Sequence, residues 1–165
     1  VEECEEELRQ LDAERAKMEQ AIVERAREAG IRLIGPNCMG IYAPEARLAQ
    51  SPGQGPEPGP IGMVSQSGAN AQEMVRHGSP RGLRFSKVIS FGNGADLKAA
   101  DFFEYLADDP KTEIIVAYLE GIQDGPRLAR AIRRAAQHEP AAILKSGRTA
   151  AGSRAGSYRT AWRGA

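Results

Sequence analysis

The sequence GPIGMVSQSG, residues 59–68, sets the pattern that decides the fold. An apolar run (Ile61–Val64) stops at a turn of serine, glutamine and glycine, and a helix-compatible segment begins directly afterwards at Ala69. Strands that alternate with helical segments in this way are typical of βαβ units in a parallel sheet. Because the carboxyl ends of parallel strands lie on one side of such a sheet, the turn after Val64 marks the side where a ligand is expected.

The same order of strand, turn and helix recurs three times downstream. Further strands are predicted at Lys87–Phe91, Ile114–Leu119 and Ala141–Leu144. The turns that follow them are Gly92-Asn93-Gly94, Glu120-Gly121 and Lys145-Ser146-Gly147-Arg148. Helices are predicted near Ala69–Arg76, Leu97–Ala107 and Pro126–Gln137. Four strands and three helices predict an α/β fold with a flavodoxin-like parallel sheet that stops early and carries helices on both faces.

The residues before this sheet predict a separate piece. Glu5–Ala29 has apolar residues at helical spacing and Gly30 at the position that ends a helix, and Ile31–Ile34 is short enough only for a strand. One helix and one strand cannot bury a core, so residues 1–50 are predicted to be the C-terminal remnant of another domain. The Pro/Gly-rich residues 51–60 are predicted to be a linker, and residues 61–165 the truncated main domain.

Composition excludes several functional classes. Of the 165 residues, 41% are hydrophobic and 27% charged, and the 22 basic residues balance the 22 acidic ones, so no overall charge attracts nucleic acid. No apolar run approaches the roughly 20 residues that span a bilayer. The two cysteines have no metal-ligand spacing and form no disulfide framework, so we expect no metal site and a cytoplasmic location. A first residue other than methionine suggests a fragment.

The turns indicate the charge of the ligand. Backbone N–H groups at the start of a helix have no partner within the helix and lie at the positive end of its dipole, which favours phosphate or another anion. Each turn also has a simpler interpretation. The Gly92–Gly94 turn can require positive φ angles, Glu120 can be a solvated end of a strand, and Asn37-Cys38 can be a bend with a small buried thiol. Four such turns on one side of the sheet favour the anion site.

Five blocks of this sequence resemble the nucleoside-diphosphate-forming acyl-CoA synthetases, which include the succinyl-CoA synthetase alpha chain and the ADP-forming acetyl-CoA synthetases. The blocks are GIRLIGPNCMGIY (Gly30–Tyr42), GPIGMVSQSGA (Gly59–Ala69), FGNGADL (Phe91–Leu97), YLEGIQDG (Tyr118–Gly125) and LKSGRTAAGS (Leu144–Ser153). In this family a carboxylate, CoA and a nucleoside triphosphate interconvert with acyl-CoA, nucleoside diphosphate and phosphate through a phosphorylated histidine.

The resemblance implies a role for each matched residue. It places Asn37 and Cys38 at the thioester side of the CoA site, and Glu120 as the carboxylate that orients the phosphohistidine. Phosphate-binding residues would be Ser67, Gly68, Ala69, Asn93 and Gly94. It further implies CoA and Mg-dependent ATP or ADP as cofactors. Residues 1–50 would then end a Rossmann-like CoA-binding domain, and the missing partners would be the rest of that domain and an ATP-grasp domain or subunit.

One departure affects the expected activity. The family has its histidine in a Ser-His-Thr-Gly turn, whereas this chain has Tyr158 at that place, and neither His77 nor His138 is positioned to replace it. Tyrosine, with a pKa near 10, is a poor phosphoryl carrier at neutral pH. We therefore expect a ligase fragment that is inactive as an isolated chain. The alternatives are a non-catalytic module that senses nucleotide or acyl-CoA, and a flavodoxin-like flavin or phosphate binder.

Overall fold

The computed structural model describes residues 2–147, which form a mostly parallel five-stranded sheet with helices on both faces. The strands are β1 (Gly40–Tyr42), β2 (Pro58–Ser65), β3 (Phe85–Ser90), β4 (Ile114–Leu119) and β5 (Ala141–Lys145). The α-helices are α1 (Glu2–Glu28), α2 (Gly68–Gly78), α3 (Ala99–Ala107) and α4 (Gly125–Ala135). The strand order is β1-β3-β2-β4-β5.

The predicted parallel sheet is confirmed. β2 pairs in parallel with β3 and with β4, and β4 pairs in parallel with β5. One boundary differs from the prediction, because β2 begins at Pro58, inside the segment predicted to be a linker. Prolines can begin this strand because their carbonyl oxygens still accept hydrogen bonds. The oxygen of Pro60 accepts one from the N–H of Glu113, at 2.8 Å.

Strand β1 was not predicted, and it brings part of residues 1–50 into the sheet. It runs antiparallel to β3, with Gly40 opposite Ser90 and Tyr42 opposite Val88. Tyr42 is 2% exposed, and its hydroxyl donates a hydrogen bond to the oxygen of Gly55 at 2.7 Å. Because β1 is antiparallel, its first residue lies at the carboxyl end of β3, and the loop before β1 therefore lies on the same side as the parallel strands' turns.

The predicted strand at Ile31–Ile34 is wrong. This segment lies outside every strand of the sheet. Its backbone is paired instead with a loop. The N–H of Leu33 donates to the carboxylate of Asp96 at 2.9 Å, and the oxygen of Leu33 accepts from the N–H of Leu97 at 3.2 Å. The short apolar run packs against the core through Ile34 without a strand neighbour to form a ladder.

Helices cover the two faces of the sheet with separate apolar clusters. On one face, Val64, Ile89 and Ile115 pack with α3 and α4, whose buried residues include Phe102, Phe103, Leu106, Leu128, Ala131 and Ala135. On the other face, Met63, Phe85 and Val88 pack with Ala71 and Val75 of α2. The consecutive pairs Met63-Val64 of β2 and Val88-Ile89 of β3 thus serve opposite faces, as strand geometry requires.

Helix α1 is joined to the sheet domain near its C-terminal end, where Arg27 donates to the carboxylate of Asp96. Gly30 follows the helix with φ +71°, which confirms the predicted end signal. Val23 is 3% exposed, whereas a stripe of apolar residues on the same helix is open to solvent: Leu8, Leu11, Met18 and Ile22. Among residues 2–147, no helix combines the length and the apolar character needed to cross a bilayer.

Candidate functional site

The order of the parallel strands reverses between β2 and β4, which are neighbours although β3 follows β2 in the chain. At such a point, the turns after the two strands diverge and leave a crevice for a ligand. Gln66 follows β2 directly and is 3% exposed. Its Oε1 accepts hydrogen bonds from the backbone N–H groups of Glu120, at 2.7 Å, and Gly121, at 2.9 Å. The side chain of Gln66 therefore joins the two turns.

The start of α2 presents open hydrogen-bond donors. Ser67 is the N-cap, and its hydroxyl oxygen accepts from the N–H of Asn70 at 3.3 Å. The N–H of Ser67 donates to the hydroxyl oxygen of Ser65 at 3.2 Å. No acceptor within the described residues pairs with the N–H of Gly68 or Ala69. These two groups lie at the positive end of an 11-residue helix, an arrangement that suits an anion.

Met39 lies over this helix start. A Cβ atom at Gly68 would lie 2.3 Å from Cγ of Met39, so a side chain at position 68 would require the exposed Met39 side chain to move. The N–H of Met39 donates to the hydroxyl of the buried Ser90 at 3.1 Å, and Gly40 next begins β1. Strand β1 thus anchors the end of the loop that carries Asn37 and Cys38.

Asn93 lies close to Asn37, but its polar groups are already used within the protein. The backbone N–H of Asn93 donates to the oxygen of Pro36 at 3.0 Å, and the N–H of Gly94 donates to the oxygen of Phe91 at 3.1 Å. The side-chain amide of Asn93 donates to Glu19 at 2.7 Å and accepts from Asn37 at 3.3 Å. This turn therefore binds the loop before β1, and the N–H groups of Asn93 and Gly94 are not open to a ligand in this arrangement.

Two close contacts hold the loop of residues 33–38 on this turn. A Cβ atom on Gly92 would lie 2.1 Å from the oxygen of Asn37, so the loop and the turn pack backbone against backbone. The carboxylate of Asp96 is fully buried and accepts from Leu33 N–H, from Nη2 of Arg27 at 2.8 Å and from Nε of Arg32 at 2.9 Å. Cys38 is partly buried, and its thiol lies 3.5 Å from the oxygen of Ile34.

The three groups that donate hydrogen bonds to Asp96 have a clear electrostatic effect on its carboxyl. The hydrogen bond from Arg32 is the largest cause, followed by those from Leu33 and Arg27, and burial opposes them. Together they hold the pKa of the Asp96 carboxyl well below its ordinary value. Asp96 therefore carries a full negative charge at neutral pH and links α1 to the loop at the site.

Glu120 is fixed through its backbone, whereas one of its carboxylate oxygens has no partner among residues 2–147. Besides the bond from its N–H to Gln66, its carbonyl oxygen accepts from Nζ of Lys145 at 2.8 Å. Its Oε2 is buried, and no hydrogen-bond partner for it lies among the described residues. Burying a carboxylate oxygen without a partner is unfavourable, so this atom could accept a hydrogen bond from a group outside the described residues.

The four predicted turns are therefore not equivalent. The turn after β2 offers two open N–H groups, whereas those after β3 and β4 donate to Pro36, Phe91 and Gln66. After β5, the N–H of Ser146 donates to the oxygen of Leu119 at 2.8 Å. The sequence therefore led us to expect free donors at more of these turns than the structure shows among residues 2–147.

Three residues of the site escaped the sequence analysis although they lie in the quoted blocks: Gln66, Asp96 and Lys145. Each is polar and follows an apolar run or a turn, and each is buried or half-buried with backbone partners far away in the chain. A polar residue directly at the end of a buried strand was the available signal, since a buried amide or charge requires partners. The identity of those partners was not readable from the sequence.

Two predictions fall at or beyond the limit of the described structure. Tyr158, at the position that the resemblance gives to the histidine, lies outside residues 2–147, as does Arg148 in the fourth turn. Within the described residues, no three His, Cys, Asp or Glu side chains are grouped as a metal site would require.

Comparison with known proteins identifies relatives of this chain. An ADP-forming acetate–CoA ligase of Archaeoglobus fulgidus is 39% identical over 148 residues, which are 89% of this chain and 22% of that protein. The alpha subunit of an ADP-forming acetate–CoA ligase of Pyrococcus furiosus is 39% identical over 142 residues, 86% of this chain and 31% of that subunit. The chain thus spans between about a fifth and a third of these relatives.

A solved structure agrees with the sequence relatives. The dinucleotide forming acetyl-coenzyme A synthetase 1 of Ca. Korarchaeum cryptofilum, in complex with phosphate and ADP, superposes with a TM-score of 0.79 at 30% identity. The match covers 90% of this chain and 33% of that one. The family described as the succinyl-CoA ligase like flavodoxin domain matches residues 58–163, which include the whole parallel part of the sheet. The predicted resemblance is therefore confirmed, and the chain belongs to the succinyl-CoA ligase-like flavodoxin domain family.

Proposed function

We propose that this chain is part of an ADP-forming acyl-CoA ligase, which interconverts a carboxylate, CoA and ATP with acyl-CoA, ADP and phosphate. The chain contributes the phosphate-binding start of α2 and the carboxylate of Glu120, while Asn37 and Cys38 lie on the thioester side. The observation that carries the proposal is the pair of open N–H groups of Gly68 and Ala69, joined through the neighbouring Gln66 to Glu120. The Oε2 atom of Glu120 is buried and has no partner in the described part of the chain.

The chemistry divides between the two groups. The N–H groups of Gly68 and Ala69, with the dipole of α2, stabilise the negative charge of a phosphoryl group. A carboxylate beside an imidazole accepts its N–H and holds the ring in one orientation, which is the role we assign to Glu120. Asn93 and Gly94 act indirectly, because they hold the loop of Asn37 and Cys38 in place.

The remaining components are assigned to regions of the ligase that this chain does not span. They include most of the CoA-binding domain, whose C-terminal part would be residues 1–50, and an ATP-grasp domain or subunit that binds Mg-dependent nucleotide. The relatives are three to five times longer than the matched segment, which leaves room for both. We infer a cytoplasmic enzyme, since its proposed substrates are cytoplasmic metabolites.

Phosphate binding is the direct test of the proposed site. Titration of the ¹⁵N-labelled chain with inorganic phosphate should shift the amide resonances of Gly68 and Ala69, with weak affinity because only two donors and a helix dipole contribute. Helix α4 is a matched control, since it also has 11 residues but begins with the carboxylate of Asp124 as its cap. Equal shifts at the two helix starts, or none at α2, would contradict the proposal.

Labelling with nucleoside triphosphate separates the ligase fragment from a non-catalytic sensing module. The chain has Tyr158 where the resemblance places the histidine. Both the ligase fragment and the sensing module are therefore expected to lack phosphoryl transfer by this chain alone. A missing nucleophile cannot be replaced by good positioning, so γ-³²P-labelled ATP should leave no acid-labile label on this chain. Label at His77 or His138 would show that the site is placed wrongly. Stable binding of nucleotide by the isolated chain would favour the sensing module.

A further inference from the structure

Two side chains from neighbouring strands hold the backbone of Glu120. From the turn after β2, Oε1 of Gln66 accepts the N–H groups of Glu120 and Gly121. From the end of β5, Nζ of Lys145 donates to the carbonyl oxygens of Glu120 and Ser146. The peptide groups on both sides of Glu120 are thus bonded to side chains that lie 54 and 25 residues away in the chain.

This arrangement counters a specific unfavourable interaction. The Oε2 atom of Glu120 is buried without a partner among the described residues, and a free carboxylate would turn towards water to avoid the loss of hydration. Two consecutive N–H groups that converge on one oxygen form a concave donor pair that usually attracts an anion. Here the neutral amide of Gln66 fills that position and fixes the backbone without adding a second negative charge beside the carboxylate.

We propose that Gln66 and Lys145 are positioning residues, which fix the backbone of Glu120 so that its carboxylate stays buried and available to the imidazole of a phosphohistidine. This proposal rests on the proposed function for the role of Glu120. Gln66 also immediately precedes Ser67, the cap of α2. The same residue therefore sets the position of the phosphate-binding turn relative to the carboxylate.

The test uses amide hydrogen exchange and ¹³C NMR on the 165-residue chain. Gln66→Met keeps the size of the side chain and removes the acceptor, Gln66→Glu keeps an oxygen acceptor, and Lys145→Met removes the donor to Glu120. Gln50→Met is the matched control, because Gln50 is also half-buried and donates to the backbone oxygen of Gly40, away from Glu120. The exchange rate of Ile115 in the core reports global stability in each variant.

We expect Gln66→Met to accelerate exchange of the Glu120 and Gly121 amides at least tenfold relative to Ile115, and to shift the carboxyl ¹³C resonance of Glu120. Gln66→Glu should retain most of the amide protection but shift the carboxyl resonance of Glu120, because it places a second negative charge beside that carboxylate. Lys145→Met should shift the carboxyl resonance while the two amides stay protected, and Gln50→Met should change neither signal.

Unchanged exchange and an unchanged carboxyl resonance in Gln66→Met would overturn the positioning role, even if phosphate still binds at Gly68. Equal effects of Gln66→Met and Gln50→Met would also overturn it, because the change would then reflect general loosening. If the unaltered chain did not bind phosphate, that result would contradict the proposed function. The exchange result would still decide the positioning role.

Discussion

Replacing Gly92 with alanine should detach the loop of residues 33–38 from the sheet and produce the largest loss of stability among single changes at the site. The new Cβ would lie 2.1 Å from the oxygen of Asn37 and 2.3 Å from that of Pro36, so the loop must move as a whole. Gly92 also has φ +53°, which costs a residue with a side chain about 1–2 kcal/mol. With the steric conflict, we expect a loss of about 3 kcal/mol in the free energy of unfolding.

The matched control is Gly82→Ala, because Gly82 has φ +89° and no atom within 4 Å of an added Cβ. This variant should lose only the backbone contribution of about 1–2 kcal/mol. Urea unfolding measures both losses, and amide exchange of Asn93 and Ala95, whose N–H groups donate to Pro36 and Gly35, shows whether the loop has separated. Equal losses in the two variants would mean that the loop adjusts to the added methyl group at little cost.

Replacing Asp96 with alanine should release the same loop through a different interaction. The change leaves the N–H of Leu33 without its acceptor and removes the shared partner of Arg27 and Arg32. The two arginine side chains are 56% and 55% exposed and can be solvated, so the main loss comes from the buried N–H group. We expect a decrease of about 1–3 kcal/mol in the free energy of unfolding at pH 7.

The effect of Asp96 should depend on pH in a defined direction. Because the folded-state pKa of its carboxyl is lowered, the stabilisation is complete above the ordinary aspartate pKa of about 3.9 and decreases as the pH falls below that value towards the folded-state pKa. The stability difference between the unaltered chain and Asp96→Ala should therefore be constant between pH 5 and 8 and shrink below about pH 4. Urea unfolding across this range measures the difference.

Asp124→Ala serves as the control for loss of an aspartate. Asp124 is exposed and caps α4 through the N–H of Arg127, so its loss should cost about 1 kcal/mol without a change at Leu33. Slower amide exchange of Leu33 than of Arg127 in Asp96→Ala would show that Asp96 does not hold the loop.

The parallel part of the fold was predictable because each strand is an apolar run with a clear end. Ile114–Leu119 was predicted to the residue, and the turn after Val64 correctly marked a capped helix start. Strand β1 was not predictable, since three residues carry no periodicity and its partner lies almost fifty positions away. The strand predicted at Ile31–Ile34 is absent from the sheet for a related reason. Its apolar residues are those of a strand, but its backbone partners are the side chain of Asp96 and a loop.

The sequence indicated which side of the sheet to consider better than which donors stay free. Residue types at the strand ends pointed to the side where a ligand is expected, and on that side the structure brings Asn37 to Asn93 and links Gln66 to Glu120. Whether a turn keeps its N–H groups free depends on what packs against it. The loop before β1 accepts a hydrogen bond from the turn after β3, and the side chain of Gln66 accepts hydrogen bonds from the turn after β4. Both are long-range contacts that no local pattern reports.

Strand β1 also determines which edge of the sheet is open to pairing with a further strand. It covers the outer hydrogen-bonding groups of β3 and offers only three residues itself, so it is a poor template for a further strand. At the opposite margin, β5 offers five residues, with Ile143 38% and Leu144 65% exposed. Any strand that extends the described sheet, whether by native pairing or by aggregation, is therefore directed to β5.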